Sequence, residues 1–299
     1  MSRSITLAAG IAATLALALP ASGQAAAQHR STQLYVSLGD SYATGYQATG
    51  QGQGHNTTEG FADQIPALAR RRGYRLKLVN FGCGGATTTS ILQAEGCHPR
   101  ARAVGGPDYS GETQIEAAEA FLRANRGRVA LVTVSIGGND VTACARAADP
   151  VACVAAAVEG IKTNVGELAR RLRAAAGAKV RIVGTTYPDV ILGQWTTGQQ
   201  ADQDLARLSV VAFRSLINPA LKDSYATAGG DFVDVTAATG AYGSLDETTT
   251  LAPYGTIPKP VAEVCRLTYY CEFRDIHART SGYRVIAKLV TQTLPRRPR

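Results

Sequence analysis

The sequence predicts an α/β protein: a single domain of three α/β/α layers, with helices on both faces of a central, mostly parallel five-stranded sheet. From Thr32 onward, short apolar runs alternate with longer amphipathic stretches. Strands that alternate with helices in this way are typical of a parallel sheet. The 299-residue chain also shows no internal repeat and no Ser/Pro-rich linker, so a single large domain over residues 31–299 is the economical interpretation.

Five short apolar runs are the predicted strands. Each contains β-branched or aromatic side chains, which favour strands over helices in segments this short. The most strand-like run reads VALVTVSI. In chain order, the predicted strands cover residues 34–38, 75–81, 129–136, 179–184 and 231–235.

Five longer stretches carry apolar residues at three- and four-residue steps, the spacing of an amphipathic helix. The first of them places Phe61 and Ile65 on one face and stops at Gly73, while Pro66 should kink the helix or delay its start. In chain order, the predicted helices cover residues 59–72, 112–126, 151–176, 199–226 and 280–293.

Three residues are expected to interrupt the longer helices. Gly160 or Gly166 could break the third helix, and Pro219 should kink or end the first part of the fourth. Residues 48–58 and 240–270 show no regular pattern. We expect these two irregular stretches to form loops that face the substrate, because binding residues concentrate in loops.

The first 27 residues are predicted to be a secretory signal peptide. Arg3 supplies the positive start, residues 5–19 are apolar, Pro20 ends the apolar run, and residues 25–27 offer an Ala-x-Ala cleavage site. The run is too short and too rich in alanine to favour a transmembrane helix, and no second stretch could span a bilayer. We therefore expect a secreted protein that is not stably inserted in a membrane.

Six cysteines fall into three pairs of sequence neighbours. Six cysteines allow 15 connectivities, but local closure is the simplest and an exported chain permits it. Metal binding is disfavoured, because no Cys-x-x-Cys occurs and the four histidines are scattered. The predicted disulfides are Cys83–Cys97, Cys144–Cys153 and Cys265–Cys271.

The formal net charge of +8 is spread along the chain. Arginine clusters such as residues 70–72 come late in predicted helices, where cations suit the helix dipole. No aromatic side chains interleave with the basic residues to form a base-stacking surface. The composition therefore gives no reason to expect a nucleic-acid partner.

A first motif, Gly39-Asp40-Ser41, directly follows the first predicted strand. Open α/β sheets place ligand crevices at the carboxyl ends of their strands, which is where Ser41 would lie. Taken alone, the tripeptide is weak, because a serine after a strand is more often a turn residue or helix cap.

Three further motifs complete a pattern. Gly84-Gly85 follows the second strand, Gly138-Asn139 follows the third, and Asp275-Ile276-His277 precedes the last helix. With these motifs in this order, the chain resembles the SGNH hydrolases, the GDSL-type esterases and lipases, over nearly all of the mature chain. It looks most similar to their secreted actinobacterial members with three disulfides. The resemblance implies the SGNH, flavodoxin-like arrangement of the fold.

The resemblance implies a role for each motif. Ser41 would be the nucleophile, and His277 the base that takes its proton, since a serine hydroxyl is a poor nucleophile until a base activates it. The oxyanion hole would use the backbone N–H groups of Ser41 and Gly85 and the side-chain amide of Asn139. Asp40 is expected to hold the turn by local hydrogen bonds.

The third member of the triad is where the sequence departs from the family. The usual spacing puts an aspartate three residues before the histidine, and Arg274 occupies that position. Asp275 comes two residues before His277 and is the favoured partner. A main-chain carbonyl of residue 274 or 275 is the alternative support for the histidine.

The sequence thus predicts a secreted carboxylic-ester hydrolase that acts through an acyl-serine intermediate, without a metal or other cofactor, as a monomer on small-molecule or lipid esters. The alternatives on the same fold are a phospholipase or acyltransferase, a polysaccharide deacetylase, and a catalytically silent binding protein. Tyr187 and Trp195 follow the fourth strand and are candidates to line the acyl pocket, although packing is expected for at least one of them.

Overall fold

The computed structural model describes Met1 and residues 31–297. Apart from Met1, the predicted signal peptide lies outside the described residues. The strands are β1 (Gln33–Gly39), β2 (Tyr46–Gly50), β3 (Gln53–Asn56), β4 (Leu76–Asn80), β5 (Val129–Ser135), β6 (Arg181–Thr185), β7 (Asp231–Val233), β8 (Thr248–Leu251) and β9 (Gly255–Pro258). The helices are α1 (Phe61–Ala69), α2 (Ser90–Gln93), α3 (Gln114–Ala124), α4 (Gly138–Thr142), α5 (Pro150–Ala176), α6 (Gln200–Ala212), α7 (Asn218–Ala226), α8 (Val235–Ala238), α9 (Lys259–Leu267), α10 (Tyr270–Phe273) and α11 (Thr280–Thr293).

One parallel sheet organises the described chain. Its strand order is β4-β1-β5-β6-β7, so β1 lies between β4 and β5, and Val36 pairs with both Val79 and Val132. The remaining strands form two small antiparallel hairpins, β2–β3 and β8–β9. The prediction of a single-domain, three-layer fold around five parallel strands is confirmed.

Both faces of the sheet are buried, which explains the continuous apolar runs of its strands. Successive side chains point to opposite faces, so Tyr35 and Val36 join different cores. Tyr35 belongs to the core that contains Phe61 of α1 and Tyr283 of α11. Val36 belongs to the larger core, on the side of α3, α5 and α7, together with Leu168.

The structure corrects several predicted element boundaries. The helix over residues 151–176 is unbroken from Pro150, because Gly160 and Gly166 keep helical conformation within it. Pro66 lies inside α1, which runs through it and ends in a 3-10 turn at residues 70–72. Over residues 199–226 the helix does change course, through a π-helical segment at Phe213–Ile217, and Pro219 stands in the first turn of α7.

The six cysteines form the three pairs that their spacing favours. Cys83–Cys97 closes the segment after β4, and Cys144–Cys153 ties the turn after α4 to the start of α5. Cys265–Cys271 joins α9 to α10. Among the described residues, no helix is both long and apolar enough to cross a membrane.

Gly39 ends β1 where two strands come unusually close. A Cβ atom at this position would lie 1.9 Å from the Ser135 carbonyl oxygen of β5, and the backbone φ is +128°. Only glycine adopts such a conformation readily and leaves room for the neighbouring backbone. The buried amide of Gln114 accepts from the Gly39 N–H at 2.7 Å and donates to its carbonyl at 3.1 Å. The chain therefore leaves the sheet in a fixed direction immediately before Asp40 and Ser41.

Candidate active site

The turn after β1 is held by the Asp40 carboxylate. It accepts hydrogen bonds from the Tyr42 N–H at 2.9 Å and from the Tyr187 hydroxyl at 2.6 Å. Burial raises the pKa of Asp40 to about 7, against the lowering effect of these hydrogen bonds. Asp40 is thus a buried anchor of the turn on which Ser41 stands, as the sequence suggests.

Hydrogen bonds connect Ser41 to His277 and His277 to Asp275. His277 Nε2 is 2.7 Å from Ser41 Oγ, and His277 Nδ1 is 2.8 Å from Asp275 Oδ1. The same Asp275 oxygen accepts from the His277 backbone N–H at 2.9 Å. When the ring proton is on Nδ1, His277 donates to Asp275 and accepts from Ser41. The contact to the ring comes from the carboxylate of Asp275.

The electrostatics of Asp275 fit this arrangement. Burial acts to raise the pKa of Asp275, but the hydrogen bonds and charge of His277 outweigh it, so the net pKa is lowered. The carboxylate therefore stays ionised beside the ring. A buried negative charge at Nδ1 favours the tautomer that leaves Nε2 free to accept a proton.

Arg274, at the position where the family usually has aspartate, faces elsewhere. It is exposed and caps α10 with a left-handed backbone, at a φ of +55°. Its guanidinium donates to the Gly193 carbonyl at 3.2 Å. The departure from the family spacing is thus accommodated by Asp275, two residues from the histidine, whose carboxylate reaches the ring without Arg274.

Asn139 and Gly85 come from the turns after β5 and β4. Asn139 stands in the first turn of α4, and its Nδ2 donates to the Ala86 carbonyl at 2.8 Å, which leaves one amide proton free. Gly85 has a φ of +83°, and no protein atom lies within 4 Å of where its Cβ would be. Backbone conformation, rather than crowding, therefore calls for glycine at this position.

Two backbone donors of this region have no partner. Within residues 31–297, neither the Ser41 N–H nor the Gly85 N–H donates to a protein acceptor. Both turns are joined through the Cys83 N–H, which donates to the Gly39 carbonyl at 2.9 Å. Together with the free proton of Asn139 Nδ2, the site has three uncommitted donors of the kind that an oxyanion needs.

Sequence reasoning missed a hydrogen bond that joins the turn carrying Gly85 to the turn carrying Asn139. Asp140 accepts from the Thr88 hydroxyl at 2.6 Å and from the Thr88 N–H at 3.0 Å. Asp140 is thereby fixed beside the segment that carries Gly85, and its neighbour Asn139 is fixed with it. Because the partners are 52 residues apart, no local pattern in the sequence signals the pair.

A cavity of about 240 Å³ lies beside the nucleophile turn. Ser41, Asn139, Tyr187 and Ile276 line it, whereas Gly85, Asp275 and His277 do not. The other walls are mostly apolar and come from α4, the start of α5, and the segments around α6. These apolar lining residues are Val141, Pro150, Val151, Val154, Val190, Ile191, Leu205, Leu208, Val211, Ala212, Phe213, Leu216 and Ile217.

The predicted cavity residues are only partly correct. Tyr187 lines the cavity, but Trp195 does not; it packs among apolar residues with the Arg207 guanidinium 4.6 Å from its ring. The expectation that residues 48–58 and 240–270 face the substrate was wrong for this cavity, since neither stretch lines it. Their backbone pairs internally instead, in the β2–β3 and β8–β9 hairpins.

The comparisons with known proteins give one family. The sequence model of the GDSL-like lipase/acylhydrolase family matches residues 37–285, from β1 into α11. The chain belongs to this family, and the resemblance read from its motifs is confirmed. Comparison with curated proteins gives no match.

Solved structures show where the same fold occurs. Phospholipase A1 from Streptomyces albidoflavus NA297 is similar over 88% of this chain and 99% of that chain, with a TM-score of 0.50 and 17% identity. An extracellular lipase from Streptomyces rimosus is similar over 86% of this chain and 99% of that chain, with a TM-score of 0.43 and 17% identity. A variant of an acetyl-xylooligosaccharide esterase from Geobacillus is similar over 89% of this chain and 97% of that chain, with a TM-score of 0.47 and 14% identity. At such identities the first of these similarities describes a shared fold.

No group of three or more His, Cys, Asp or Glu side chains within residues 31–297 is arranged to hold a metal ion. The polar side chains at the cavity include Asp40 and Ser41 on one turn and Asn139 and Thr142 in α4. A further polar side chain, Asp189, lies behind the wall: it is fully buried, and the Ser209 hydroxyl donates to it at 2.8 Å. Pro188, Val190 and Ser209 line the cavity in front of it.

Asp189 makes stability depend on pH. Burial raises its pKa from an ordinary 3.8 to about 7, against the lowering effect of the Ser209 hydroxyl. The folded state then binds the proton more tightly than the unfolded chain, so this contribution to stability is present below about pH 4 and is lost as pH rises through about 7. We expect the stability of Asp189→Asn relative to wild type to increase from pH 4 to about pH 7 and to level off above it, as measured by urea unfolding across this range. A difference that stays constant over this range would contradict the prediction.

Proposed function

We propose that this protein is a secreted serine ester hydrolase in which Ser41, His277 and Asp275 form the catalytic triad. The observation that carries the proposal is the 2.7 Å contact between Ser41 Oγ and His277 Nε2. The other ring nitrogen of His277, Nδ1, is hydrogen-bonded to the Asp275 carboxylate. Nucleophile, base and orienting group in hydrogen-bond reach are the signature of an activated serine.

The proposed reaction has two halves. As Ser41 Oγ attacks the ester carbonyl carbon, His277 Nε2 takes its proton, and the carbonyl oxygen becomes an oxyanion. The N–H groups of Ser41 and Gly85 and the Asn139 amide stabilise that charge. The oxyanion then collapses, the alcohol leaves with the proton from His277, and an acyl-serine remains. Water, deprotonated by His277, attacks the acyl-serine to form a second oxyanion. As this oxyanion collapses, the bond from the acyl carbon to Ser41 Oγ breaks, His277 returns the proton to Ser41 Oγ, and the carboxylic acid is released.

The cavity favours esters with an apolar acyl chain. Its walls beyond the reacting groups carry aliphatic and aromatic side chains, and burying an apolar chain there contributes about 25 cal/mol per Å². An acetyl group would leave most of these walls without contact, so the proposal places lipid-type esters before acetylated polysaccharides. A phospholipase or an acyltransferase would use the same acyl-serine. The acyltransferase would differ only in the nucleophile that attacks this intermediate, which would be an alcohol in place of water.

Export is the second part of the proposal. Residues 1–27 are proposed to be a signal peptide that is removed from the mature chain. Three disulfides support it, because such bonds persist in oxidising compartments outside the cytoplasm. A monomeric state is part of the same proposal.

Replacing the nucleophile tests the assignment directly. Wild type should release a burst of nitrophenol equal to the enzyme concentration from a p-nitrophenyl ester, followed by slower turnover. Ser41→Ala should lose the burst and at least about 10⁴-fold in kcat, with an unchanged circular dichroism spectrum. A variant that keeps more than about a tenth of the wild-type rate would rule out Ser41, and an inactive wild type would favour the silent binding protein.

The role of Asp275 can be separated from that of the main chain. If its carboxylate orients His277, Asp275→Asn should lower kcat by about 10³–10⁴, because the wrong tautomer is favoured and the imidazolium loses its partner. Asp275→Ala should be similarly slow, with Ser41→Ala as the floor, all on one soluble ester. Losses below about tenfold in both variants would assign the support to a main-chain carbonyl and reduce the triad to a dyad.

Acyl-chain preference can be tested with isosteric changes at the cavity rim. Val151 and Val211 line the cavity while staying 52% and 58% exposed, and Val104, at 54%, does not line it. The double variant Val151→Thr, Val211→Thr should prefer long acyl chains less than wild type. We expect its ratio of kcat/KM for an octanoyl ester to kcat/KM for an acetyl ester to fall about three- to tenfold, since each change puts a hydroxyl beside the acyl chain. The control Val104→Thr should leave the ratio unchanged. An equal ratio in all three proteins would refute the proposed acyl site.

A further inference from the structure

The nucleophile and the base come from distant parts of the chain. We call residues 40–47 the nucleophile loop and residues 274–283 the base segment. The first leaves strand β1, whereas the second runs from the end of α10 into the first turn of α11 and belongs to no strand of the sheet. Strand pairing alone therefore does not set the distance between Ser41 and His277. Contacts between the nucleophile loop and the base segment join the two directly.

One partly buried hydrogen bond runs from the nucleophile loop to the base segment. The Tyr42 hydroxyl donates to the Ile276 carbonyl at 2.6 Å. Tyr42 directly follows Ser41, and Ile276 directly precedes His277, so the bond joins the immediate neighbours of the two reacting residues. Tyr42 is 3% exposed, and its ring also packs edge-on against the ring of Tyr187 at a centroid distance of 4.9 Å.

A second partly buried hydrogen bond runs in the opposite direction. The Tyr283 hydroxyl, from the base segment, donates to the Tyr46 carbonyl of the nucleophile loop at 2.7 Å. The rings of Tyr42 and Tyr283 meet edge to face, 5.6 Å apart, and Tyr283 is fully buried. The Tyr46 ring in turn lies 4.3 Å from the His277 ring. Each segment thus gives one tyrosine hydroxyl to a carbonyl of the other.

We propose that Tyr42 and Tyr283 form a reciprocal latch that holds Ser41 and His277 at hydrogen-bond distance. They are positioning residues, since neither hydroxyl touches a reacting atom, and the proposal rests on the catalytic roles proposed above. Partly buried hydroxyl-to-carbonyl bonds suit this task because a carbonyl that loses its partner away from bulk water is costly. By contrast, the bonds from Gln47 and Gln64 to Thr280 are exposed, and water can replace them.

Both latch residues stay protonated donors across the working range of an esterase. Burial, followed by the nearby charges of Asp40 and Asp275 among others, raises the pKa of Tyr42 and of Tyr283 well above the ordinary value. The latch is therefore not expected to open by titration of its own hydroxyls. Its effect should be a constant factor on the chemical step rather than a switch in pH.

The test removes one oxygen atom at a time. Tyr42→Phe and Tyr283→Phe keep both rings, and Tyr35→Phe is the matched control. Tyr35 is also fully buried, and its hydroxyl is 2.7 Å from the Thr133 hydroxyl inside the sheet. We expect each latch variant to lose about tenfold in kcat with KM within twofold, because small displacements of reacting groups are costly. Tyr35→Phe should lose stability but no activity.

A second measurement separates positioning from loss of structure. The measurement is a double-mutant cycle that compares the effect of Tyr42→Phe with and without His277. If the latch acts through His277, Tyr42→Phe should cause no further loss of rate in a His277→Ala background. The proposal is overturned if the doubly substituted Tyr42→Phe, Tyr283→Phe protein keeps kcat within twofold of wild type. It is also overturned if the tenfold loss persists without His277. Failure of the proposed function is distinguishable, because Ser41→Ala would then retain activity or wild type would have none.

Discussion

The site depends on the close approach of β1 and β5 at their carboxyl ends. The Gly39 backbone passes so near the Ser135 carbonyl that no side chain fits between them. Parallel pairing of β4, β1 and β5 then delivers three turns to one edge of the sheet, where α/β folds gather their ligand sites. The nucleophile turn and both oxyanion turns leave from these strands. The sheet thereby places the polar groups of the site with a rigidity that loops alone would not provide.

His277 is the exception, because it reaches the site from outside the sheet. Its position rests on partly buried hydrogen bonds: Asp275 holds the ring, and two tyrosine hydroxyls join its segment to the nucleophile loop. Such bonds add little net stability but are costly to leave unmade, so they select one arrangement more strongly than they stabilise it. The site thus combines three groups placed by strand pairing with one group placed by partly buried hydrogen bonds.

Local patterns in the sequence predicted the sheet, the parallel orientation of its strands and the turns that carry the motifs. The spacing of apolar residues, the length of each run and the order of the motifs can all be read from neighbouring residues. They failed where the answer depends on distant partners. Gly160 is exposed on α5 and is simply tolerated, so the expected break does not occur. The cavity wall along α6 reads as an ordinary amphipathic helix. The Tyr42–Ile276 bond spans 234 residues and leaves no spacing to read. The carboxylate contact of Asp275 likewise depends on the folded structure, since residue order favoured Asp275 but left a main-chain carbonyl of residue 274 or 275 as the alternative.

The apolar wall and the polar site act on each other. Aliphatic side chains lie beside Ser41 and Asn139, and in a less polar environment each hydrogen bond to an oxyanion would be electrostatically stronger. Burial also raises the pKa of Asp40, which lines the cavity, and of Asp189, which lies behind its wall. If this wall accepts an apolar acyl chain as proposed, it is also part of the electrostatic environment of the reaction. Substitutions that make this wall more polar should change the chemical step as well as the choice of acyl chain.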